Sequence, residues 1–81
     1  MNKTLVFLQD ANRAFAKLPE DVQESLTRKL FLYGLTGRGD VKRMVGRNAL
    51  RLRDGEFRVI FEDTATALTV VGVGHRGRVY R

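Results

Sequence analysis

The sequence predicts one α+β domain, and three observations carry that reading. Apolar side chains recur at helical spacing between residues 11 and 34. From Ala49 onward the pattern changes to a period of two. Asp54-Gly55 then divides the alternating stretch as a tight hairpin turn would. Eighty-one residues suffice for one core but not for separate modules, so the prediction is a single domain over 1–81. Its order is an N-terminal strand, a two-helix hairpin and a three-stranded antiparallel meander.

Each element has its own signal. Lys3 to Gln9, KTLVFLQ, is a short apolar run suited to a buried strand. Asp10 can cap a first helix, whose Ala11, Ala14, Phe15 and Leu18 form a narrow apolar face. Pro19 stops that helix and suits the first position of a second one, where its missing N–H costs nothing. Glu20, Asp21 and Glu24 near the second helix's start, with Arg28 and Lys29 further on, complement its dipole. Val22, Leu26, Leu30 and Tyr33 are its buried stripe, and Gly34 is the expected C-cap. Thr36 to Asn48 holds three glycines and four basic residues and reads as an irregular connection, either a solvated basic loop or a phosphate-binding one. The remaining segments, ALRLR, EFRVIFE and ALTVVGVG, are the strands of the meander.

Charge and composition narrow the function. The chain has 15 Lys and Arg against 9 Asp and Glu, a net charge of +6, which points to a polyanionic partner. The excess lies in the second half: residues 42–81 hold nine basic side chains and four acids. With no cysteine and one histidine, neither a thiolate nor a histidine-built metal site is expected, and no cofactor is implied. No apolar run reaches the roughly 18 residues of a membrane span, so a cytoplasmic protein without membrane association is expected.

The hairpin register sharpens this. With Asp54 and Gly55 as the loop, Arg51 would face Arg58, while Leu50, Leu52, Phe57, Val59 and Phe61 share the core face. Like charges at facing positions are destabilising unless an anion lies over them or each finds its own acid, as Arg53 would with Glu56. A four-residue loop from Asp63 to Thr66 would project Val73 and His75 from the Arg51 and Arg58 face, an assignment one bulge would reverse. An imidazole there suits proton transfer at neutral pH. Tyr80 either covers an edge of the core or stacks on a nucleobase, and Arg76, Arg78 and Arg81 supply phosphate-directed charge.

These segments, in order, resemble the RelE/ParE superfamily of type II toxin–antitoxin toxins. The resemblance is carried by the N-terminal strand, DANRAFAKLPEDVQESL, VKRMVGRN, LRLRDGEFRVIFE and VVGVGHRGRVY, which together cover nearly the whole chain. It implies a microbial-ribonuclease-like domain with two helices on a twisted antiparallel sheet. It also implies a ribosome-dependent mRNA endoribonuclease that needs no metal, inhibits translation and is neutralised by an acidic antitoxin, meeting operator DNA only through the antitoxin complex. The alternative within the superfamily is a ParE-like gyrase inhibitor without nuclease activity.

Carried over by position, Arg51 and Arg58 match the strand residues of the RelE-like active face, Arg76 its C-terminal arginine and Tyr80 its tyrosine. The expected catalytic set is therefore Arg51, Arg58, His75, Arg76 and Tyr80. Lys42, Arg43, Arg47, Arg53, Arg78 and Arg81 are expected to hold RNA. RelE-like members carry a lysine two residues before the position of Arg51, where this chain has Ala49, so His75 is the expected replacement in proton transfer. The sequence ends at Arg81, and no helix is expected after the last strand.

Overall fold

The computed structural model describes residues 3–46 and 48–75. The order is β1 (Thr4–Phe7), α1 (Gln9–Ala16), α2 (Glu20–Thr36), β2 (Val41–Arg43), β3 (Leu50–Asp54), β4 (Phe57–Asp63) and β5 (Ala67–His75). The strands form one mixed sheet in the order β1-β5-β4-β3-β2. From β2 to β5 it is an antiparallel meander, and β1 closes it by running parallel to β5, with Thr4 opposite Ala67 and Phe7 opposite Val70. The α+β expectation holds, with one strand more than anticipated.

The extra strand is β2, inside the segment read as irregular. Its three residues pair with β3, Val41 opposite Leu52 and Lys42 opposite Arg51, and Met44 N–H donates to the Ala49 carbonyl to close the connection. So short an edge strand has no periodicity to detect, and three glycines around it mask the rest. At the other edge, β1 is only half buried: Leu5 and Phe7 pack on the core whereas Val6 is 39% exposed.

Helix boundaries shift by a residue or three. α1 begins before Asp10, which lies in its first turn and does not cap it; Leu8 occupies the N-cap. Pro19 sits at the N-cap of α2, with Glu20 as the first helical residue. The helix runs through Gly34 and ends at Gly37, whose φ of 73° is left-handed and whose N–H donates to the Tyr33 carbonyl. A glycine is favoured at Gly37 because a Cβ there would oppose that backbone angle. Gly34 instead faces the sheet, where a Cβ would stand 3.4 Å from Leu68.

The core lies between the helices and one face of the sheet. Leu26 and Leu30 of α2 and Ala11 of α1 meet Leu52, Val59, Phe61, Leu68, Val70 and Val73. Tyr33 stands edge-on to Phe61, with ring centroids 5.4 Å apart, and Phe7 meets Phe15 at 4.8 Å. Leu68, Val70 and Val73 cannot share a face of a regular strand, because the last interval is three. A register shift opposite Ile60/Phe61 resolves this: Phe61 faces Val70, Ile60 faces Gly72, and Val71 is the extra residue. Among the described residues no helix is long and apolar enough to cross a membrane.

Candidate nucleic-acid interface

The sheet face away from the helices carries the cationic residues, and the register fixes their order. One row across the sheet runs Lys42, Arg51, Ile60, Gly72; the next runs Arg53, Arg58, Gly74. The face assignment made from the sequence therefore stands, but the pairing does not. Asp54 faces Phe57, Arg53 faces Arg58, and Arg51 faces Ile60, because the two-residue loop is Gly55-Glu56. Gly55 takes the first loop position with φ 60°, where both primed turns need a positive angle. Asp54 is drawn into the ladder on the helix side, where Lys29 Nζ donates to its Oδ1 at 2.7 Å and its side chain is only 18% exposed.

The adjacent like charges are held by separate acceptors. Arg53 Nε donates to Asp40 Oδ2 at 2.8 Å, and the Arg53 backbone N–H donates to the Asp40 carbonyl. Arg58 Nη1 donates to the carbonyls of Gly55 (2.8 Å) and Phe57 (3.1 Å). The expected pairing of Arg53 with Glu56 does not form: Glu56 lies against His75. Beside Ile60 and Arg58 the last strand offers Gly72 and Gly74, so the cationic rows end on backbone. Both glycines lie within β5. Their spacing of two was the signal available for placing both on one face.

At the β2 edge, Lys42, Arg43 and Arg51 border a concavity of about 240 Å³ with Met44 and Val45. Lys42 belongs to the cationic face, whereas Arg43 pairs with Leu50 and also borders a polar hollow with Tyr33, Asn48 and Asp63. Val45 is 99% exposed at the tip of this hairpin.

His75 does not join the arginines. Because Val71 is bulged, Phe57 faces His75 and Arg58 faces Gly74, so the imidazole turns to the helix side. There its ring stands edge-on to Phe57 at 5.2 Å, its Nε2 lies 2.8 Å from Glu56 Oε1, and it borders an open hollow with Asp21, Val22, Ser25 and Asp54. In that hollow, burial is the largest influence on the Asp54 carboxyl and raises its pKa. Hydrogen bonds from Lys29 and Ser25, with the charges of Lys29 and Arg28, outweigh it and hold the carboxyl below its ordinary value. Arg47, Arg76, Arg78, Tyr80 and Arg81 lie outside the described residues.

Chemically, the face is cationic. Lys42, Arg51, Arg53 and Arg58 stand on three adjacent antiparallel strands, spaced by the ladder, with Asp40 at the edge. Guanidinium groups so placed can take phosphate oxygens in pairs. Among the described residues no three His, Asp or Glu side chains converge as metal ligands would.

No family model matches the chain, and no curated protein does at the level of sequence. Solved structures match it over nearly its whole length. The archaeal RelE–RelB complex from Pyrococcus horikoshii has a chain 18% identical, covering 96% of this chain and 99% of its own, with a TM-score of 0.78. The isolated Escherichia coli RelE toxin is 21% identical, with 94% and 86% covered and a TM-score of 0.78. A RelBE toxin–antitoxin complex from Mycobacterium tuberculosis gives 21%, with 94% and 100% covered and a TM-score of 0.76. Two helices on one side of a mixed five-stranded sheet, closed by a parallel first strand, is thus the fold of the RelE toxins, and this chain adopts it.

Proposed function

We propose that the protein is the toxin of a type II toxin–antitoxin pair, a ribosome-dependent mRNA endoribonuclease neutralised by an acidic antitoxin. The observation that carries this reading is the cationic face of Lys42, Arg51, Arg53 and Arg58 beside the side-chain-free positions Gly72 and Gly74, on a RelE fold. Solved structures of that fold include complexes with RelB antitoxins, which supports an antitoxin partner.

The reaction proposed is attack of a ribose 2′-oxygen on the adjacent phosphorus. The P–O5′ bond breaks as the P–O2′ bond forms, the 2′-hydroxyl proton leaves and the 5′-oxygen gains one, giving a 2′,3′-cyclic phosphate and a 5′-hydroxyl. Arg51 and Arg58 clamp the phosphate and meet the charge that grows on its oxygens. Lys42, Arg53 and, at the edge, Arg43 hold the neighbouring backbone. Arg76 is assigned to phosphate or leaving-group stabilisation and Tyr80 to base stacking, and Arg47, Arg78 and Arg81 remain assigned to RNA binding. His75 is assigned no proton transfer, because it faces the helices. The ribosome would orient the mRNA, so a small set of groups suffices.

Primer extension on translated mRNA after brief expression tests the reading. Codon-phased cuts that vanish in Arg58→Ala are expected. Intact mRNA together with gyrase-dependent DNA damage would overturn it in favour of the gyrase inhibitor.

A further inference from the structure

A guanidinium has five N–H donors in one plane, two of them on each terminal nitrogen. In Arg58 the Nη1 nitrogen donates to two carbonyls, those of Gly55 and Phe57. Among the described residues Nε and Nη2 have no hydrogen-bond partner, so the edge they form is the one left for a ligand. That edge carries two parallel N–H groups, the geometry that binds two oxygens of one phosphate. Arg53, which faces Arg58 across the ladder, is tied to Asp40 and does not compete for the Gly55 carbonyl.

The direction of the Gly55 carbonyl depends on its backbone. Its φ is 60°, and a Cβ built there would meet nothing within 4 Å, so a substitution acts through the backbone angle and not through a clash. We propose that the β3–β4 turn is a positioning element: the Gly55 carbonyl, aimed by that left-handed backbone, fixes Arg58 so that its Nε–Nη2 edge meets two oxygens of a phosphodiester. Gly55 is a positioning residue that touches no substrate. This rests on the reading of the cationic face as a phosphate site and adds to it how the principal arginine is aimed.

The test compares Gly55→Asn, whose side chain tolerates the left-handed region, with Gly55→Val, whose branched Cβ opposes it. The probe is inorganic phosphate, titrated while the arginine Nε–H resonances are followed by NMR, with Arg58 assigned by the signal lost in Arg58→Lys. In the wild type and Gly55→Asn, phosphate shifts the Arg58 Nε–H. In Gly55→Val, with the backbone spectrum showing an intact sheet, the affinity falls about tenfold, the worth of one charge-assisted hydrogen bond. On programmed ribosomes the same variant lowers kcat/KM. Where Val unfolds the turn, Gly55→Ala is read in the same way. A folded Gly55→Val protein with the wild-type phosphate shift and affinity overturns the proposal, whatever its cleavage activity. A wild-type Arg58 shift that Gly55→Val abolishes, in a protein that cuts no mRNA, supports the positioning role while removing the nuclease reading.

Discussion

At the scale of single residues, Arg58 and His75 illustrate how much one register step decides. Both lie on strands the period-two pattern identifies, and both were assigned to one face from the sequence. A single bulged residue, Val71, puts them on opposite faces. The signal was present, since Leu68, Val70 and Val73 must all reach the core, but a bulge is a tertiary solution and no local residue type announces it. The expected consequence is that His75→Ala keeps codon-phased cleavage within a few-fold of the wild type, measured on programmed ribosomes. Arg58→Ala should lose about 10²–10³ in kcat, as when one preorganised donor to a developing oxyanion is removed. Loss of cleavage in a folded His75→Ala protein would return the imidazole to the mechanism.

Asp54 gives a prediction of the opposite kind, about stability. Its folded-state pKa is depressed below the ordinary 3.8, so its contribution is fully present above the unfolded value and is lost as pH falls through the folded one. Lys29→Ala removes its main charge partner, a pair half open to solvent and worth about 0.2–1 kcal/mol at neutral pH. The deficit of the variant, read from urea unfolding, should shrink as pH is lowered from 6 to below about 4. A deficit that stays constant over that range would mean that Lys29 acts through packing alone.

Among the elements, α2 was the most legible and β2 the least. A helix of 17 residues shows its stripe several times over, and Leu26 and Leu30 from that stripe are fully buried. Its end was misread at Gly34 because a glycine also serves close packing against Leu68, and sequence does not separate that use from a cap. β2, at three residues, is too short for alternation to be recognised. Because Leu30 has no exposed surface and packs in the core between helix and sheet, Leu30→Ala should cost about 2–5 kcal/mol. Thermal unfolding checks this, with a Tm drop of about 4–8 °C per kcal/mol expected for a domain of this size.

For the molecule as a whole, the net charge of +6 becomes informative once it is divided by face. Lys42, Arg51, Arg53 and Arg58 lie on one side of the sheet, while on the other Asp21, Asp54 and Glu56 gather with His75, with Lys29 and Arg28 beside Asp54. An approaching polyanion would be turned toward the cationic side before contact. Binding of a short single-stranded RNA should therefore weaken with salt, with a slope of log K against log salt of about −3 if four cations each meet a phosphate. A slope near zero in a filter-binding or fluorescence titration would show that the face does not hold RNA backbone. The composition foretold a polyanionic partner, yet only the ladder shows that these four cations share a face, since alternation assigns faces and bulges reassign them.

The parallel pairing of β1 with β5 also governs timing. Thr4 finds its partner in Ala67, and β5 lies between β1 and β4, so the sheet is not continuous until the last described strand has joined it. Contacts between such distant parts of a chain form late, because a long loop must close before they reward it. A chain still being synthesised therefore has β1 waiting without a partner and Arg58 without the strand that flanks it. On the proposed reading, the phosphate site is thus incomplete until β5 has joined the sheet.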